Sequence, residues 1–422
     1  MILILCDTVT ARHLSCYGYP RCTSAFLDSL ATEGIFFESC YSVASRTGPA
    51  VSSLFTSRYP SFHGAVNSIE AWDMKAVLRE ENLTLAEILQ QHGYRTAALF
   101  SNVNASPGFG YGQGFDTTIF EDGENAGIIR SIMEQELATL VDSQPFFLYA
   151  HFIDPHVPYQ PPERFNHFFG PEARATIKTS NHRNLDRVLR GDIELSDQML
   201  QQLIDQYDAE ILYFDEQLRR LFVTLARLDL LDSSLIIVTS DHGEEFLEHG
   251  KLMHGYTLYQ EQLHVPLVLL WPESSPRRVT TAVSLLDIAP TVLSLLEIDP
   301  GTNLQGRDLT PLLLEEPVDR VEPVPFFGEA SLKAVFTIQS KSVIDGRWKF
   351  IRDLRSGAEE LYDLADDPGE SVNLVDSQPD VRANMLRLLH DFQNARTDTL
   401  QPHFVPLDEE TSRQLRSLGY LD

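Results

Sequence analysis

The amino-acid sequence predicts an α/β fold, in which a mostly parallel sheet is sandwiched by helices and followed by a smaller C-terminal antiparallel sheet plus a helix. Two observations support this fold class. Apolar runs alternate with helical patterns over the first three-quarters of the chain, which indicates a parallel sheet with helices on both faces. The runs are almost continuously apolar, as strands buried on both faces require.

The individual elements follow from the spacing of apolar residues. Strands are predicted at residues 1–6, 35–42, 95–100, 145–151, 235–240 and 266–270. Between them, helical spacing predicts helices at residues 25–33, 48–57, 83–92, 127–142, 197–229 and 284–297. Residues 157–195 lack periodicity, so we expect a long loop over the functional edge of the sheet.

The pattern changes near residue 320. Strand-like stretches at 335–338, 342–344, 348–351 and 360–364 indicate an antiparallel meander, with a turn at Asp345-Gly346. A helix at about 378–396 and a short C-terminal helix follow. We therefore expect an α/β domain over residues 1–325 and a C-terminal α+β subdomain over residues 326–422.

The composition narrows the classes of partner. The 422 residues are 43% hydrophobic and 22% charged, which is typical of a globular protein, and the net charge is −28. Such a charge repels phosphate backbones and anionic lipid surfaces, so we expect no nucleic-acid partner. A small anionic ester could still bind where a metal ion, histidines and helix termini reverse the local sign. The sequence does not indicate an oligomeric state.

No apolar run approaches the roughly 20 residues of a membrane span, so we expect no membrane segment in this chain. Met1 to Leu5 is too short for a signal peptide and is interpreted as a core strand. The four cysteines lie in the first 40 residues without metal spacing and do not require an oxidising compartment. We expect a cytoplasmic location for the chain as it stands, or a periplasmic or secreted one if an upstream segment is missing.

A carboxylate and an imidazole stand side by side where the strand at 235–240 ends, at Asp241 and His242. The carboxyl ends of strands form the ligand-binding edge of open α/β sheets. Asp and His together suit a divalent metal, since they combine hard oxygen with borderline nitrogen. Asp7 follows the first strand and belongs to the same edge, which favours a metal ligand over a helix cap or turn residue.

Thr47 is expected to cap the helix that follows it, with Pro49 in the first turn. An ordinary capped helix explains this pattern by itself. The alternative is chemical, because a hydroxyl at a helix N-terminus lies in a positive partial potential beside free N–H donors. Next to a bound metal such a hydroxyl can ionise and attack an anionic ester.

Two further pairs of histidines are candidate site residues. His151 and His156 flank the end of the strand at 145–151, beside prolines, and this favours a site over structural roles. His249 and His254 follow the Asp-His pair, each before a glycine, and we favour His254 for the site. The acidic residues Glu244, Glu245 and Glu248 are expected to form a solvated loop face.

These residues lie within a set of longer motifs, which occur in the order YGYPRCTSAFLDSLATEGIFFESCYS, TGPAVSSLFTSRYPSFHG, HFIDPHVPY, YDAEILYFD, SDHGEEFLEHGKLMHG, VPLVLLWP, DGRWKFI and ELYDLADDPGESVNL. With them the chain resembles the sulfatase family of the alkaline-phosphatase superfamily over nearly its whole length. The resemblance implies a metal held by Asp7, Asp241 and His242, with the nucleophile Thr47 as a further ligand. It also assigns substrate contacts to His156 and His254 and, less firmly, to His151.

The nucleophile position separates this chain from classical sulfatases, in which a Cys or Ser is converted to formylglycine. Thr47 cannot be oxidised to that aldehyde, so no formylglycine is expected. Threonine resembles the phosphoryl-handling branches of the superfamily instead. Three further family positions also differ, since Thr8, Thr10 and Ser57 stand where an Asp, an Arg and a Gly are usual. Arg46 could replace the missing positive charge or could be exposed.

The sequence therefore predicts a metal-dependent hydrolase that cleaves a phosphodiester or phosphonate through a threonine nucleophile. One divalent ion is expected, with manganese or zinc favoured over calcium or magnesium because His242 supplies nitrogen. Three alternatives remain: a sulfuric ester hydrolase without formylglycine, a phosphoryl-group transferase, and a degenerate binding protein without catalytic activity.

Overall fold

The structure is a computed structural model, and it describes residues 1–66, 74–170, 182–272, 274–314, 321, 324–332, 338–395 and 398–417. The strands are β1 (Ile2–Cys6), β2 (Ile35–Phe37), β3 (Cys40–Tyr41), β4 (Met74–Ala76), β5 (Arg95–Phe100), β6 (Thr117–Phe120), β7 (Phe146–Phe152), β8 (Ile236–Ser240), β9 (Glu245–Phe246), β10 (Leu252–Met253), β11 (His264–Val265), β12 (Leu267–Leu270), β13 (Arg277–Val279), β14 (Val283–Ser284), β15 (Phe326–Leu332), β16 (Ile338–Asp345), β17 (Trp348–Asp353), β18 (Glu359–Asp363) and β19 (Phe404–Pro406).

The helices lie between these strands and at the C-terminal end. They are α1 (Ala25–Glu33), α2 (Thr47–Thr56), α3 (Pro60–His63), α4 (Leu85–Gln91), α5 (Ala126–Leu140), α6 (His182–Leu189), α7 (Asp197–Arg227), α8 (Gln260–Leu263), α9 (Ile288–Leu295), α10 (Thr310–Leu313), α11 (Pro379–Asn394) and α12 (Glu409–Ser417). In the part of the chain that is described, no helix is both long and apolar enough to cross a membrane.

The central sheet has eight strands in the order β13-β2-β12-β8-β1-β7-β5-β6. Neighbouring strands run parallel except β12, which is antiparallel to both β2 and β8. The predicted mostly parallel sheet is therefore confirmed. The sequence pattern did not reveal its two outer strands, β6 and β13, since these are short and only partly buried.

Helices cover both faces of this sheet, as β1 illustrates. Leu3 and Leu5 point into a core with residues of α2, α4 and α9, whereas Ile2 and Ile4 point into a second core with residues of α1, α5 and α7. Successive side chains of a strand alternate between faces, so a strand with two helical layers must be apolar at every position. This explains the continuous apolar runs in the sequence.

The C-terminal part forms an antiparallel sheet of β15, β16, β17 and β18, against which α11 packs. The expected meander and helix are confirmed. The sheet also contains β15, which was not predicted, whereas residues 335–337 of the predicted strand at 335–338 lie outside the described residues and residue 338 begins β16. Glu329 of β15 donates its backbone N–H to the Val43 carbonyl at 2.9 Å, so the C-terminal sheet is joined to the segment between β3 and α2, close to Thr47 in sequence. The division between residues 325 and 326 stays a prediction.

The long excursion at 157–195 is only partly a loop. Tyr159 and Phe165 are buried against Tyr207 and Tyr213 of α7, and α6 lies near its end. Residues 171–181 lie outside the described part of the chain. The described part of this segment thus packs on α7 through its aromatic residues, and their irregular spacing did not predict this contact.

Candidate metal and ester-cleaving site

Four neighbouring strands carry polar residues at their carboxyl ends. The sheet order β8-β1-β7-β5 brings together Asp241, Asp7, His151 and Asn102, which lie at or just beyond these ends. In the register of β1 and β8, Cys6 pairs with Ser240, so Asp7 and Asp241 extend from paired positions. The sheet order therefore gathers residues that are far apart along the chain at one edge.

Asp7, Asp241 and His242 form a buried cluster with metal-ligand chemistry. One ligand atom of each lies within 4.8 Å of those of the other two, and all three residues are fully buried. The Nε2 atom of His242 lies 3.3 Å from Asp241 Oδ2 and 3.9 Å from Asp7 Oδ1. Among the described residues, neither of these two oxygens has a hydrogen-bond partner.

The other atoms of the cluster are already engaged. Asp241 Oδ1 accepts the backbone N–H groups of Thr8 at 3.2 Å and His242 at 2.9 Å. His242 Nδ1 donates to the Gly243 carbonyl at 3.1 Å, which leaves the Nε2 lone pair directed at the two carboxylates. Such a second hydrogen bond sets the tautomer of a metal-binding histidine. Two orphaned carboxylate oxygens and one imidazole lone pair fit a divalent cation.

The carboxyl groups of Asp7 and Asp241 have different pKa values, because both are buried and each disfavours the negative charge of the other. Burial raises the pKa of Asp7, but the hydrogen bond from His151 and the nearby histidines outweigh it and lower the value to about 2. Burial, and then the negative charge of Asp7, raises the pKa of Asp241 to about 6. Two adjacent buried carboxylates cannot both ionise at low cost without a cation.

Thr47 lies beside this cluster at the start of α2. It is the first helical residue and Arg46 is the cap, so the expected capping role of Thr47 is wrong by one position. As a result the hydroxyl makes no capping hydrogen bond and faces the cluster. Thr47 Oγ1 lies 3.3 Å from His242 Nε2 and 3.4 Å from Asn102 Nδ2, and the residue is only 2% exposed.

Asn102 is a site residue that the sequence reasoning missed. Its Nδ2 donates to Asp7 Oδ2 at 2.5 Å and also lies near Thr47, while its Oδ1 accepts the Asn104 backbone N–H at 2.8 Å. An asparagine after a strand is usually interpreted as a turn residue. Its position beyond β5, at the same edge as Asp7, was the available signal.

His151 supports Asp7 instead of facing the substrate position. Its Nε2 donates to Asp7 Oδ2 at 3.0 Å, and the ring is fully buried. Together with Asn102, it occupies Oδ2 and leaves Oδ1 available. The expected catalytic role stays a prediction, and the geometry favours a positioning role.

His156 and His254 lie next to His242 in a row of imidazole rings. The ring centroids of His242 and His254 are 4.6 Å apart, and those of His254 and His156 are 5.0 Å apart. His156 Nδ1 donates to the Val157 carbonyl at 2.6 Å, and burial lowers the pKa of this histidine. His249, by contrast, stacks on Tyr259 and contacts Glu261, away from this row.

The acidic run after His242 is not a solvated loop face, and that expectation is wrong for Glu244 and Glu245, which are fully buried. Glu244 Oε1 accepts from His254 Nδ1 at 3.1 Å and so orients this ring. Glu245 accepts the backbone N–H groups of His249 and Lys251 and holds the loop that carries His254. Glu248 is the exposed residue of these three.

Backbone strain is concentrated next to Asp7. Thr8 has φ 57, a left-handed conformation that β-branched residues rarely adopt, and its hydroxyl is buried without a partner among the described residues. Tyr207 of α7 holds this turn, because its hydroxyl donates to the Thr8 carbonyl at 2.7 Å and accepts the Thr10 N–H at 3.1 Å. Ser57, which replaces the usual glycine, also has a positive φ of 50.

Comparison with known proteins identifies the family of this chain. The profile of the family described as Sulfatase matches residues 1–298, and that of the N-sulphoglucosamine sulphohydrolase C-terminal family matches residues 248–396. N-acetylglucosamine-6-O-sulfatase of Bacteroides thetaiotaomicron is 23% identical, over 99% of this chain and 86% of its own length. Choline-sulfatase of Rhizobium meliloti is 29% identical over 56% of this chain and 47% of its own length.

Solved structures share the fold. A protein in complex with its substrate D-glucosamine-2-N,6-O-disulfate superposes with a TM-score of 0.78 at 21% identity, covering 94% of this chain and 98% of its own. The phosphonate monoester hydrolase of Agrobacterium radiobacter superposes with a TM-score of 0.74 at 21% identity, covering 93% and 95%. Since the Sulfatase profile spans most of the sequence, this chain belongs to the sulfatase family, whose hydrolases act on sulfuric or phosphoric esters.

Proposed function

We propose that this protein is a metal-dependent hydrolase that cleaves a phosphate-type ester, a phosphodiester or a phosphonate monoester, with Thr47 as the nucleophile. One observation carries the proposal. The Thr47 hydroxyl lies 3.3 Å from His242 Nε2, the atom on which two orphaned carboxylate oxygens also converge. Buried polar atoms without partners are rare in folded proteins, and two that converge on one imidazole nitrogen support a cation-binding site.

The ligand that this donor set fits is one divalent cation, held by Asp7, Asp241 and His242 with Thr47 as a further ligand. Imidazole nitrogen favours manganese or zinc over calcium or magnesium. When bound, the cation would polarise the ester and lower the pKa of the Thr47 hydroxyl.

The side chains around the cation have different roles in the proposed reaction. Thr47 loses its proton to water and forms an Oγ–P bond while the bond from phosphorus to the leaving oxygen breaks. His254 in its protonated form gives a proton to that oxygen, Glu244 keeps the His254 ring in place, and His156 lies beside it to contact the ester oxygens. Water then breaks the Thr47–P bond and returns a proton to Thr47. An acceptor alcohol in place of this water would make the protein a transferase.

The nucleophile favours phosphorus over sulfur. Sulfatases of the formylglycine type need a Cys or Ser, and this chain has Thr47 at the first position of α2. We therefore expect no formylglycine. The phosphonate monoester hydrolases among the related folds support a phosphorus substrate.

A sulfuric ester remains the second candidate, because the curated relatives that cover most of this chain are named sulfatases. A degenerate binding protein is the third alternative. A panel of nitrophenyl phosphodiester, phosphonate, phosphate and sulfate esters separates the candidates, together with metal analysis of the purified protein. Fastest turnover of the sulfate ester would overturn the phosphate assignment, and absence of bound metal would favour the binding protein.

The nucleophile is tested with Thr47→Ala. We expect turnover to fall by about a thousandfold or more, since the covalent step is lost. Metal content should stay near that of the wild type, because Asp7, Asp241 and His242 remain. Thr47→Ser, which keeps the hydroxyl, is the matched variant and should retain part of the activity. Activity of Thr47→Ala within about threefold of wild type would exclude the nucleophile role.

A further inference from the structure

Gln262 is a fully buried glutamine without a part in the proposed reaction, and it contacts both loops that carry site histidines. It is the third residue of α8. Its backbone carbonyl accepts the Gly243 N–H at 2.9 Å, and its side-chain Oε1 accepts the Gly255 N–H at 2.9 Å. Gly243 directly follows His242, and Gly255 directly follows His254. One residue therefore joins the two loops beside these histidines.

The side-chain amide of Gln262 has a hydrogen-bond partner at each end. Besides the contact of its oxygen with Gly255, its Nε2 donates to Glu245 Oε2 at 3.1 Å. The same carboxylate accepts from the Thr257 hydroxyl at 2.8 Å and from the Lys251 N–H at 3.1 Å. An amide that is bonded as donor and as acceptor has one orientation, so it can set the position of the loop that it contacts.

Gly255 allows the loop to approach this amide closely. Its φ of +86 lies in the left-handed region, which glycine adopts most easily, and a Cβ here would lie 2.1 Å from Arg46 Nε. The half-buried Arg46 thus packs directly against the residue that follows His254. Two contacts therefore confine the backbone next to His254, one by packing with Arg46 and one by a hydrogen bond to Gln262.

The C-terminal sheet holds α8, and Gln262 with it. Glu370, between β18 and α11, accepts the Gln260 N–H through its Oε2 at 2.6 Å. The Oε1 atom of Glu370 lies 2.8 Å from Nζ of Lys349 in β17, and both side chains are fully buried. Separation of a buried ion pair of this kind is costly. α8 is therefore a rigid support, as precise placement of reacting groups requires.

The separation of His242 and His254 matters for the proposed reaction. Their ring centroids are 4.6 Å apart, and His242 lies next to the Thr47 hydroxyl, whereas His254 protonates the leaving oxygen. The contact of Glu244 with His254 Nδ1 sets the orientation of the ring. The contact of Gln262 with the Gly255 N–H sets the position of the backbone that carries the ring. A displacement of about 1 Å can cost about a hundredfold in rate.

We propose that Gln262 is a positioning residue for proton transfer to the leaving group, and that its amide holds His254 at the distance from His242 that this transfer requires. This role rests on the proposed function, in which His254 protonates the leaving oxygen. The bond from the Gly243 N–H to the backbone of Gln262 does not depend on the side chain. A change of the side chain should therefore affect protonation of the leaving group and leave the metal ligands in place.

Gln262→Met tests the proposal, because methionine has a similar size but cannot bond with Gly255 or Glu245. The substrates are the 4-nitrophenyl and the phenyl ester of the class that the wild type hydrolyses. Nitrophenolate leaves readily without a proton, whereas phenolate depends more on the general acid. We expect kcat/KM to fall about a hundredfold for the phenyl ester and less than about threefold for the nitrophenyl ester. An equal loss on both esters would overturn the proposal.

Two further variants separate this role from a contribution to stability. Gln262→Asn keeps an amide but shortens the side chain by one methylene group, and it should show the same selective loss. Gln217→Met is the matched control, because Gln217 is buried on α7 and its Oε1 accepts from Arg130 Nε at 3.0 Å. It should keep the wild-type ratio of the two rates. The same selective loss in Gln217→Met, or a wild-type ratio in Gln262→Asn, would contradict the proposal.

The position of His254 can also be followed without any reaction. The Nδ1 proton of His254, which bonds with Glu244, should give a downfield proton NMR signal that is absent from His254→Gln. We expect this signal to weaken or disappear in Gln262→Met and to remain in Gln217→Met. If the wild type hydrolyses no ester, the proposed function is wrong, while this signal still decides whether Gln262 positions His254. An unchanged signal in Gln262→Met would overturn the positioning role.

Discussion

Two buried clusters of aspartate and histidine lie near the end of β1, and they differ in how their polar atoms are satisfied. In the first, Asp208 accepts from His13 Nδ1 at 2.6 Å, from the Tyr19 hydroxyl at 2.8 Å and from Arg21 Nη1 at 2.7 Å. Both of its carboxylate oxygens are occupied, and an arginine balances the charge. This cluster is complete within the protein.

The second cluster is incomplete. Asp7 Oδ1 and Asp241 Oδ2 have no partner among the described residues, and no arginine or lysine pairs with either carboxylate there. Leaving buried charge unpaired costs several kcal/mol or more, so folding alone does not explain it. The comparison shows that satisfaction of hydrogen bonds, and not burial or residue type, distinguishes the candidate metal site from a structural ion pair.

Matched substitutions of the two aspartates should give opposite results, and these are the largest effects that we expect. Asp241→Asn should lower metal content strongly, because one of three anionic or lone-pair donors is weakened. The metal-free form should be at least as stable as metal-free wild type, since repulsion with Asp7 is removed. Asp208→Asn should keep metal content and lower the free energy of unfolding by about 1–3 kcal/mol.

Elemental analysis and denaturant unfolding measure these two quantities on the same preparations. Unchanged metal stoichiometry in Asp241→Asn would remove this residue from the metal site. A large loss of stability in its metal-free form would mean that Asp241 has a structural role like that of Asp208.

Substitution of Glu244 tests whether a buried carboxylate that is not a predicted metal ligand contributes to the rate of the reaction. Glu244→Gln keeps the size of the side chain but weakens its hydrogen bond to His254. We expect kcat to fall by about tenfold to a hundredfold, by analogy with losses measured for outer-shell partners, with unchanged metal content. Glu248→Gln, which changes an exposed residue of the same loop, is the control. Equal activity of both variants would contradict the positioning role of Glu244.

Substitution of His63 should have the smallest effect on stability. It extends the comparison of the two clusters to a buried histidine that stays neutral. Its Nδ1 accepts the Ala65 N–H at 3.0 Å and its Nε2 donates to the Ser53 hydroxyl at 3.0 Å, so a second proton has no acceptor. Burial lowers the pKa of His63 to about 3. Below the ordinary value of about 6.5 the unfolded chain binds a proton that the folded protein excludes, so stability falls with pH from about 6.5 toward 3.

For this one group the free energy of unfolding should approach a slope of about 1.4 kcal/mol per pH unit below pH 6. His63→Gln should be less stable at pH 8 but should depend less on pH between 6.5 and 4. Urea unfolding at several pH values measures both. Parallel pH profiles of the two proteins would show that His63 is not the titrating group.

Much of the fold was predictable because burial on both faces makes the strands of a parallel sheet visible as apolar runs. β1, β5, β7, β8 and β12 were predicted to within about two residues. The short outer strands β6 and β13 were missed, since their exposed positions interrupt the pattern. The first residues of helices were predicted less accurately. Thr47 illustrates this, because a shift of one residue decides whether it is the cap or the first residue of the first turn.

Within the candidate site, the sequence by itself determined the residue types at strand ends: Asp7 after β1, Asp241 and His242 after β8, and a threonine at the start of α2. The tertiary structure decided which of them meet. Asn102 is 95 residues from Asp7, and the Thr8 N–H that fixes Asp241 is 233 residues away. Such partners depend on the order of strands in the sheet, which local apolar patterns do not encode.

The same reason explains why the local sequence did not reveal the contacts of Glu244, His151 and Arg46. An acidic run after a histidine is equally compatible with solvent and with a buried contact, and only the tertiary packing buries Glu244 beside His254. Local sequence therefore specified the chemistry that this edge can perform. Long-range packing specified which atoms are left without partners among the described residues, and those atoms make the edge a candidate site.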